Sequence, residues 1–368
     1  MAAALQVGKV APVLLPVAAE FGVGLAGAAG LMSVFAAFAA VLGLLAGSVA
    51  ARAGLHHALL GGLGAMTAAG LVAAVAPGIG LLYAARFVEG AGFLAVSVTA
   101  PALVAQRAVG RDRGLAMAAW STFMPTGTAL GLAMAPVVEG FGWRTAWGVA
   151  AMLPMVAGVA VASLVARDAA PRAPGRVAVP LRALIRARLP LRVALCFAAY
   201  TVLWVGLIGF LPSRLVQVGG LSLSLAGFAG AAASAANIVG NLSAGWAMRR
   251  GHAPGGLATA AVVVLTACSM AAFLLPAWWS ASAALVACGV GGMVPASLFA
   301  MVPRSVPDAA LTAPALGLVV QCNNIGNTLG PLLIAFAAGF GWAAVTAPLL
   351  LAGAAFLLCV PPLRRLAG

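Results

Sequence analysis

Three ionisable residues of this chain stand well inside long apolar stretches: Lys9, Arg86 and Glu89. An ionised group is costly away from water, so each needs a partner or a task. Arg86 and Glu89 are three positions apart, a spacing that puts both on one helix face. Such a pair can do proton and anion chemistry. The carboxylate can exchange a proton, while the guanidinium holds an anionic group or sets the carboxylate's affinity for protons. The same spacing also suits a buried pair that only neutralises itself. Lys9 has no acidic neighbour in its own stretch. It reads either as a cation offered to an anion or as a lysine snorkelling toward water.

A second set is uncharged. Gln321, Asn324 and Thr328 recur at i, i+3 and i+7 and share a helix face, with Asn323 and Asn327 forming the adjacent stripe. Asn237 and Asn241 repeat at i, i+4. Tyr200, Trp204 and Trp120 are the aromatic candidates for a cavity wall. Cavity lining and hydrogen bonding between helices both explain these residues.

No catalytic constellation is expected. The three histidines include the adjacent pair His56 and His57, and the six acids are scattered. Residues 22–27, GVGLAG, match GxGxxG, but no strand precedes them, so no dinucleotide site is implied. There is no P-loop to hydrolyse ATP. The five cysteines, Cys196, Cys268, Cys288, Cys322 and Cys359, lie in apolar runs with no CxxC pair, which points to neither disulfides nor zinc. No metal and no cofactor are expected.

The elements that must position these residues follow from composition. The chain has 368 residues, of which 64% are hydrophobic and 7% charged. A soluble fold carries about 25% charged residues, so most of this surface must meet lipid. A helix needs about 20 mostly apolar residues to span a bilayer. Twelve such segments can be read, at 1–19, 25–51, 58–78, 79–105, 114–138, 143–166, 193–212, 223–248, 255–275, 278–302, 311–338 and 342–362. They do not alternate polar and apolar, which excludes barrel strands.

The net charge of +14 does not point to nucleic acid, because the arginines cluster between apolar segments. Alternate connections carry sixteen basic residues: Arg52, three at 107–113, seven at 167–192, Arg249, Arg250, Arg304, Arg364 and Arg365. The opposite set holds only Arg144 and Arg214. Basic loops stay cytoplasmic, so segment 1 runs outward and the C-terminus is inside. A cysteine at 214 is then expected to label from outside and one at 176 not. The Arg-rich, Ala- and Gly-rich composition suggests a GC-rich bacterial genome, hence the inner (cytoplasmic) membrane. No cleavable signal peptide is evident, since no charged region precedes the first apolar stretch.

The Pro- and Arg-rich connection at 167–192 divides the chain into an N-terminal six-helix half, 1–166, and a C-terminal half, 193–368. Its LRALIRAR stretch reads either as a solvated linker or as a basic helix lying on anionic headgroups. The first segment is odd. Lys9, Pro12 and Pro16 fall within the residues before Glu20, so helix 1 is short or the chain begins inside it.

The halves echo each other. Residues 127–143, GTALGLAMAPVVEGFGW, and 326–342, GNTLGPLLIAFAAGFGW, agree at seven of 17 positions at an offset of 199. Gly47 and Arg52 match Gly245 and Arg250 at an offset of 198. Two echoes at nearly one offset imply two six-helix repeats in parallel orientation. That is an architecture of secondary transporters with a site between the halves near the midplane.

At this point the chain resembles the major facilitator superfamily over essentially its whole length. GSVAARAGLHH resembles the family's G-x-x-x-D-R-x-G-x-[RK]-[RK] loop, with Gly47, Arg52 and Gly54 in place. RFVEGAGF is similar to R-x-x-[QE]-G-x-G, with Arg86, Glu89, Gly90 and Gly92 matching. FGWRTAW resembles the turn into helix 6, and GNLSAGWAMRRG the degenerate second-half loop with Arg250. Ala51 stands where the family usually has Asp, and His56 at a usual basic position, so the ionic latch that the resemblance implies lacks its acid. ALQVGKVAP and QCNNIGNTLGP resemble the cyanate-permease-like branch, in which helix 1 starts further upstream.

The resemblance implies an all-α membrane protein that is not an enzyme. It would be a monomeric secondary transporter of a small molecule, a small organic or inorganic anion, working by alternating access and coupled to protons or another ion. Two alternatives stay open: an exporter of drug-like or metabolite compounds with the same fold, and a membrane-embedded enzyme. The expected substrate and proton pathway comprises Lys9, Arg86, Glu89, Tyr200, Trp204, Gln321, Asn323, Asn324, Asn327 and Thr328. The expected cytoplasmic gating loop comprises Gly47, Arg52, Gly54 and Arg250.

Overall fold

Every apolar segment becomes a helix because lipid offers backbone N–H and C=O groups no partner outside the chain. The structure is a computed structural model, and it describes residues 1–107, 120, 122–165, 188–306, 308 and 311–360. Among them there is no strand. Twelve helices follow in order. In the first half they are α1 (Ala2–Phe21), α2 (Gly24–Ala53), α3 (Leu55–Ala74), α4 (Ile79–Arg107), α5 (123–141) and α6 (143–164). In the second half they are α7 (Leu189–Gln217), α8 (Leu223–Arg249), α9 (Pro254–Leu274), α10 (Ala277–Ser305), α11 (Thr312–Ala338) and α12 (Thr346–Cys359). Ten of the described helical stretches are long and apolar enough to cross a bilayer. The 27-residue α11 is not among them, because its Gln and Asn row dilutes its apolar run.

The two echoes in sequence are echoes in backbone. Gly142 (φ 82°) and Gly341 (φ 104°) both take the left-handed conformation that breaks the chain just ahead of Trp143 and Trp342. Gly54 (φ 84°) and Gly251 (φ 89°) do the same after α2 and α8. Such positive φ strains any residue with a side chain by about 1–3 kcal/mol, so glycine recurs where both halves must turn.

Packing repeats as well. Within the first half α1 lies on α5, α2 on α4, α3 on α4 and α3 on α6. Within the second half α7 lies on α11, α8 on α10, α9 on α10 and α9 on α12. The halves meet along two seams, α2 with α11 and α5 with α8. These seams exchange under the same offset, as two parallel repeats about one axis require.

Two polar contacts hold the loop-poor ends. The Trp143 indole donates to Glu20 at 2.5 Å, and the Trp342 indole donates to Gln217 at 3.2 Å. Arg144 pairs with Glu20 and donates to the Ala76 carbonyl at 2.7 Å. Arg214 donates to Phe273 and Leu275 carbonyls at 3.3 and 2.9 Å. The two arginines that the sequence places in the arginine-poor connections lie instead within α6 and α7, and each serves the carbonyl end of a neighbouring helix, α3 or α9, where cations are favoured. On that same face Glu139 at the end of α5 accepts the backbone N–H of Ser224 at 2.9 Å and its hydroxyl, tying the seam to the start of α8.

The outer surface carries Val41, Phe141, Leu164, Phe336, Leu351 and Leu358 fully in the open. So much apolar exposure is stable only in lipid. α7 is the opposite case: every residue from 203 to 215 is buried.

Candidate functional site

Pro12 has no N–H to continue α1, and its ring opposes the carbonyl one turn back. The helix accordingly breaks after Gly8, passes Lys9 and Val10 as a turn, and resumes through a short 3₁₀ stretch, Ala11–Val13. Gly131 of α5 packs directly on this break, with no room for a side chain. Lys9 thus sits at an interruption in the membrane-spanning part of α1, 3% exposed.

Opposite it, α4 presents Arg86 and Glu89 on one face, as the spacing requires. Gly90 allows the approach, since a Cβ there would collide with the backbone of Phe35 on α2. Gly70 of α3 likewise leaves the space occupied by Glu89, whose Oε1 would lie 2.9 Å from a Cβ.

The result is a buried cluster. Lys9 Nζ donates to Glu89 Oε1 at 2.8 Å, and Arg86 Nη1 donates to Glu89 Oε2. Arg86 also donates to the carbonyls of Leu31 and Gln6, both at 3.2 Å. Aromatic faces cover the cations. Lys9 Nζ stands 4.3 Å from the Trp147 ring centre, and the Arg86 guanidinium 4.1 Å from that of Phe35. Glu89, Arg86, Lys9 and Gln6 are all nearly inaccessible. With all three groups ionised, two cations face one carboxylate, and the cluster carries a surplus positive charge.

The cluster lies inside the N-terminal half, between α1, α2, α3, α4 and α6. Lys9 is turned away from the seam between halves. Its α1 neighbours Val7, Gly8 and Ala11 line the seam instead, in a cavity of about 10 Å³ completed by Met32, Thr128, Trp204, Val205, Ile208 and Gly209. Neither sequence reading of Lys9, a cation in a central cavity or a snorkelling side chain, matches this placement. The break in α1 turns it into the half-bundle, where Glu89 from another helix receives it.

Part of the α11 polar row is engaged between helices. Asn323 accepts the Thr201 hydroxyl at 2.6 Å, and Gln321 donates to the Ala40 carbonyl across the α2 seam. Asn324 and Thr328 bond within their own helix, at 2.9 and 2.8 Å, and Asn327 is half-buried. Asn237 donates to Tyr200 at 3.4 Å and to the Cys288 carbonyl at 3.3 Å, and Asn241 donates to Asn237 at 2.8 Å. Trp204 alone of the aromatic candidates reaches the seam cavity among the described residues. Trp120 stacks on Phe123 at 4.3 Å.

Of the gating-loop residues, Gly47 lies within α2 and Gly54 separates α2 from α3. The Arg52 side chain lies outside the described residues. Arg250 stacks 3.7 Å over Trp246 at the matching end of α8. Sequence reasoning does not single out Gln6, Phe35, Thr128 or Trp147. Gln6, three residues before Lys9 on the same face, was the one within reach of a spacing argument.

The sequence model of the Major Facilitator Superfamily matches residues 1–313. The chain belongs to the major facilitator superfamily. No curated protein matches it in sequence. Among solved structures, a bacterial homolog of the human lysosomal transporter Spinster, inward-facing and occupied, aligns with a TM-score of 0.81 at 16% identity. That alignment covers 97% of this chain and 94% of the other. The unoccupied form of the homolog gives 0.77 at 15% identity over 100% and 94%. A peptide transporter bound to sulfate gives 0.76 at 16% over 99% and 93%. At such identities the likeness is one of fold. Membership of the superfamily makes this chain a multi-pass secondary transporter of a small molecule and not an enzyme.

Proposed function

We propose that this superfamily member carries a small anion together with a proton. The observation behind the reading is the buried cluster of Lys9, Arg86 and Glu89, two cations on one carboxylate. Neutralising Glu89 with a proton would release Lys9 and leave two buried cations without a counter-charge. An anion nearby restores balance, so proton and anion favour each other's binding, and by linkage the effect is reciprocal. The break in α1 at Lys9 supports this, since interrupted helices mark ion and substrate sites in secondary transporters. The likeness of two stretches to cyanate-permease-like carriers points the same way.

In this reading residues 1–166 and 193–368 rock against each other about the two seams, joined by a cytoplasmic linker at 167–192. The α11 row, Tyr200 and Trp204 contribute the second-half wall, and the Gly47–Gly54 loop with Arg250 gates the cytoplasmic side. The protein is a monomer in a bacterial inner membrane, with its C-terminus inside.

The apolar lining of the seam cavity favours a second reading, an exporter of drug-like compounds. Proteoliposomes holding the purified chain separate the two. Accumulation of an inorganic or organic anion, faster with an imposed pH gradient, supports the first. Proton-driven movement of lipophilic dyes without any anion flux supports the second and overturns the first.

A further inference from the structure

Two residues lining the seam cavity carry a polar side-chain atom that finds no hydrogen-bond partner among the described residues: Trp204 Nε1 and Thr128 Oγ1. They come from opposite halves, α7 and α5, and both side chains are buried, Trp204 at 9% exposure and Thr128 at 1%. Leaving a buried donor unmet is costly, so two such residues on one cavity call for a partner there, a water or the polar atoms of a ligand. The indole N–H only donates, and the hydroxyl can donate as well. Two donors, one from each half, suit two acceptor oxygens on one centre.

The rest of the lining is apolar: Val7, Ala11, Met32, Val205 and Ile208. A polyoxyanion such as sulfate would leave most of its oxygens against hydrocarbon there. A carboxylate on an apolar body would not. Its charge is answered from behind, because Lys9 directly follows Gly8 at the break in α1, and with all three groups ionised the cluster it joins carries a surplus positive charge.

We propose that Trp204 and Thr128 form a carboxylate-binding site that takes a small monocarboxylate with an apolar body. This rests on the anion reading above and narrows it. Bound there, the carboxylate takes one hydrogen bond from each half and holds the halves together over the substrate. At about 10 Å³ the cavity has room for about one water, so the halves must part to admit an aromatic or aliphatic acid.

The test is calorimetric titration of the purified full chain with sodium benzoate, benzamide and sodium sulfate, at a pH where benzoate is fully ionised. Benzoate binds, benzamide binds more weakly and sulfate does not bind in the cavity. Thr128→Val and Trp204→Phe each weaken benzoate about tenfold or more, while Thr128→Ser keeps wild-type affinity. Variants are compared only where their melting temperatures match wild type, and Thr128→Val, being close to isosteric, serves if Trp204→Phe does not fold. Unchanged benzoate affinity in Thr128→Val, or no benzoate binding to the wild type, overturns the assignment. If benzoate fails while another anion accumulates in proteoliposomes, the carboxylate site falls and the anion reading stands. If no anion accumulates, both fall.

Discussion

Lys9 and Glu89 are 80 positions apart in sequence, and their charged atoms meet at 2.8 Å in a region closed to solvent. With Arg86 on the other carboxylate oxygen, Glu89 answers two cations drawn from two helices. The carboxylate is therefore the keystone of the cluster, and either cation is the less critical member.

This asymmetry predicts an order of stability. Removing one member of a buried ion pair costs about 3–5 kcal/mol when a charge is left uncompensated. Glu89→Leu strands two cations and is expected to suffer at least that loss. Lys9→Met removes the surplus charge and leaves Arg86 paired with Glu89, so its loss is smaller. Thermal unfolding of the two variants in detergent checks the order. A Lys9→Met variant less stable than Glu89→Leu would mean that the three groups are not ionised together.

Coupling gives a second expectation. Glu89→Gln keeps the shape of the side chain and removes its proton exchange. Gradient-driven accumulation of anion in proteoliposomes should vanish, while exchange of labelled for unlabelled anion at equilibrium persists. Accumulation at the wild-type rate and level would make Glu89 structural and place the coupling proton on another group.

Orientation can be tested on residues that the structure shows to be accessible. Position 214, attractive from sequence, is a poor reporter because Arg214 is buried and bonded to two carbonyls at the end of α9. Val218, just beyond α7, is 58% exposed, and Ala253, just before α9, is exposed on the opposite face. With the five native cysteines replaced by serine, Val218→Cys should react with an impermeant maleimide added to intact cells. Ala253→Cys should react only after the membrane is opened. The reverse pattern would invert the proposed topology.

The sequence by itself determined the solvent, the helix count and the repeat. These are local or additive properties: apolar runs of spanning length, arginines concentrated in alternate loops, and the GFGW and GxxLG echoes need no knowledge of what lies beside what. Gly142 and Gly341 show how directly such a signal maps to backbone, since both turn the chain in the one conformation that favours glycine. The pairing of Arg86 with Glu89 was legible for the same reason, because three residues along a helix is a fixed distance. What α1 does was not legible. Pro12 announces a break, but only packing decides that Lys9 turns inward to Glu89 and Trp147 while Gly8 and Ala11 turn to the seam. That Thr128 and Trp204 line one cavity likewise depends on how α5 and α7 sit across two half-bundles. Hydrophobic periodicity cannot rank the faces of helices that are apolar all round, so the tertiary fold alone decides which polar atoms converge.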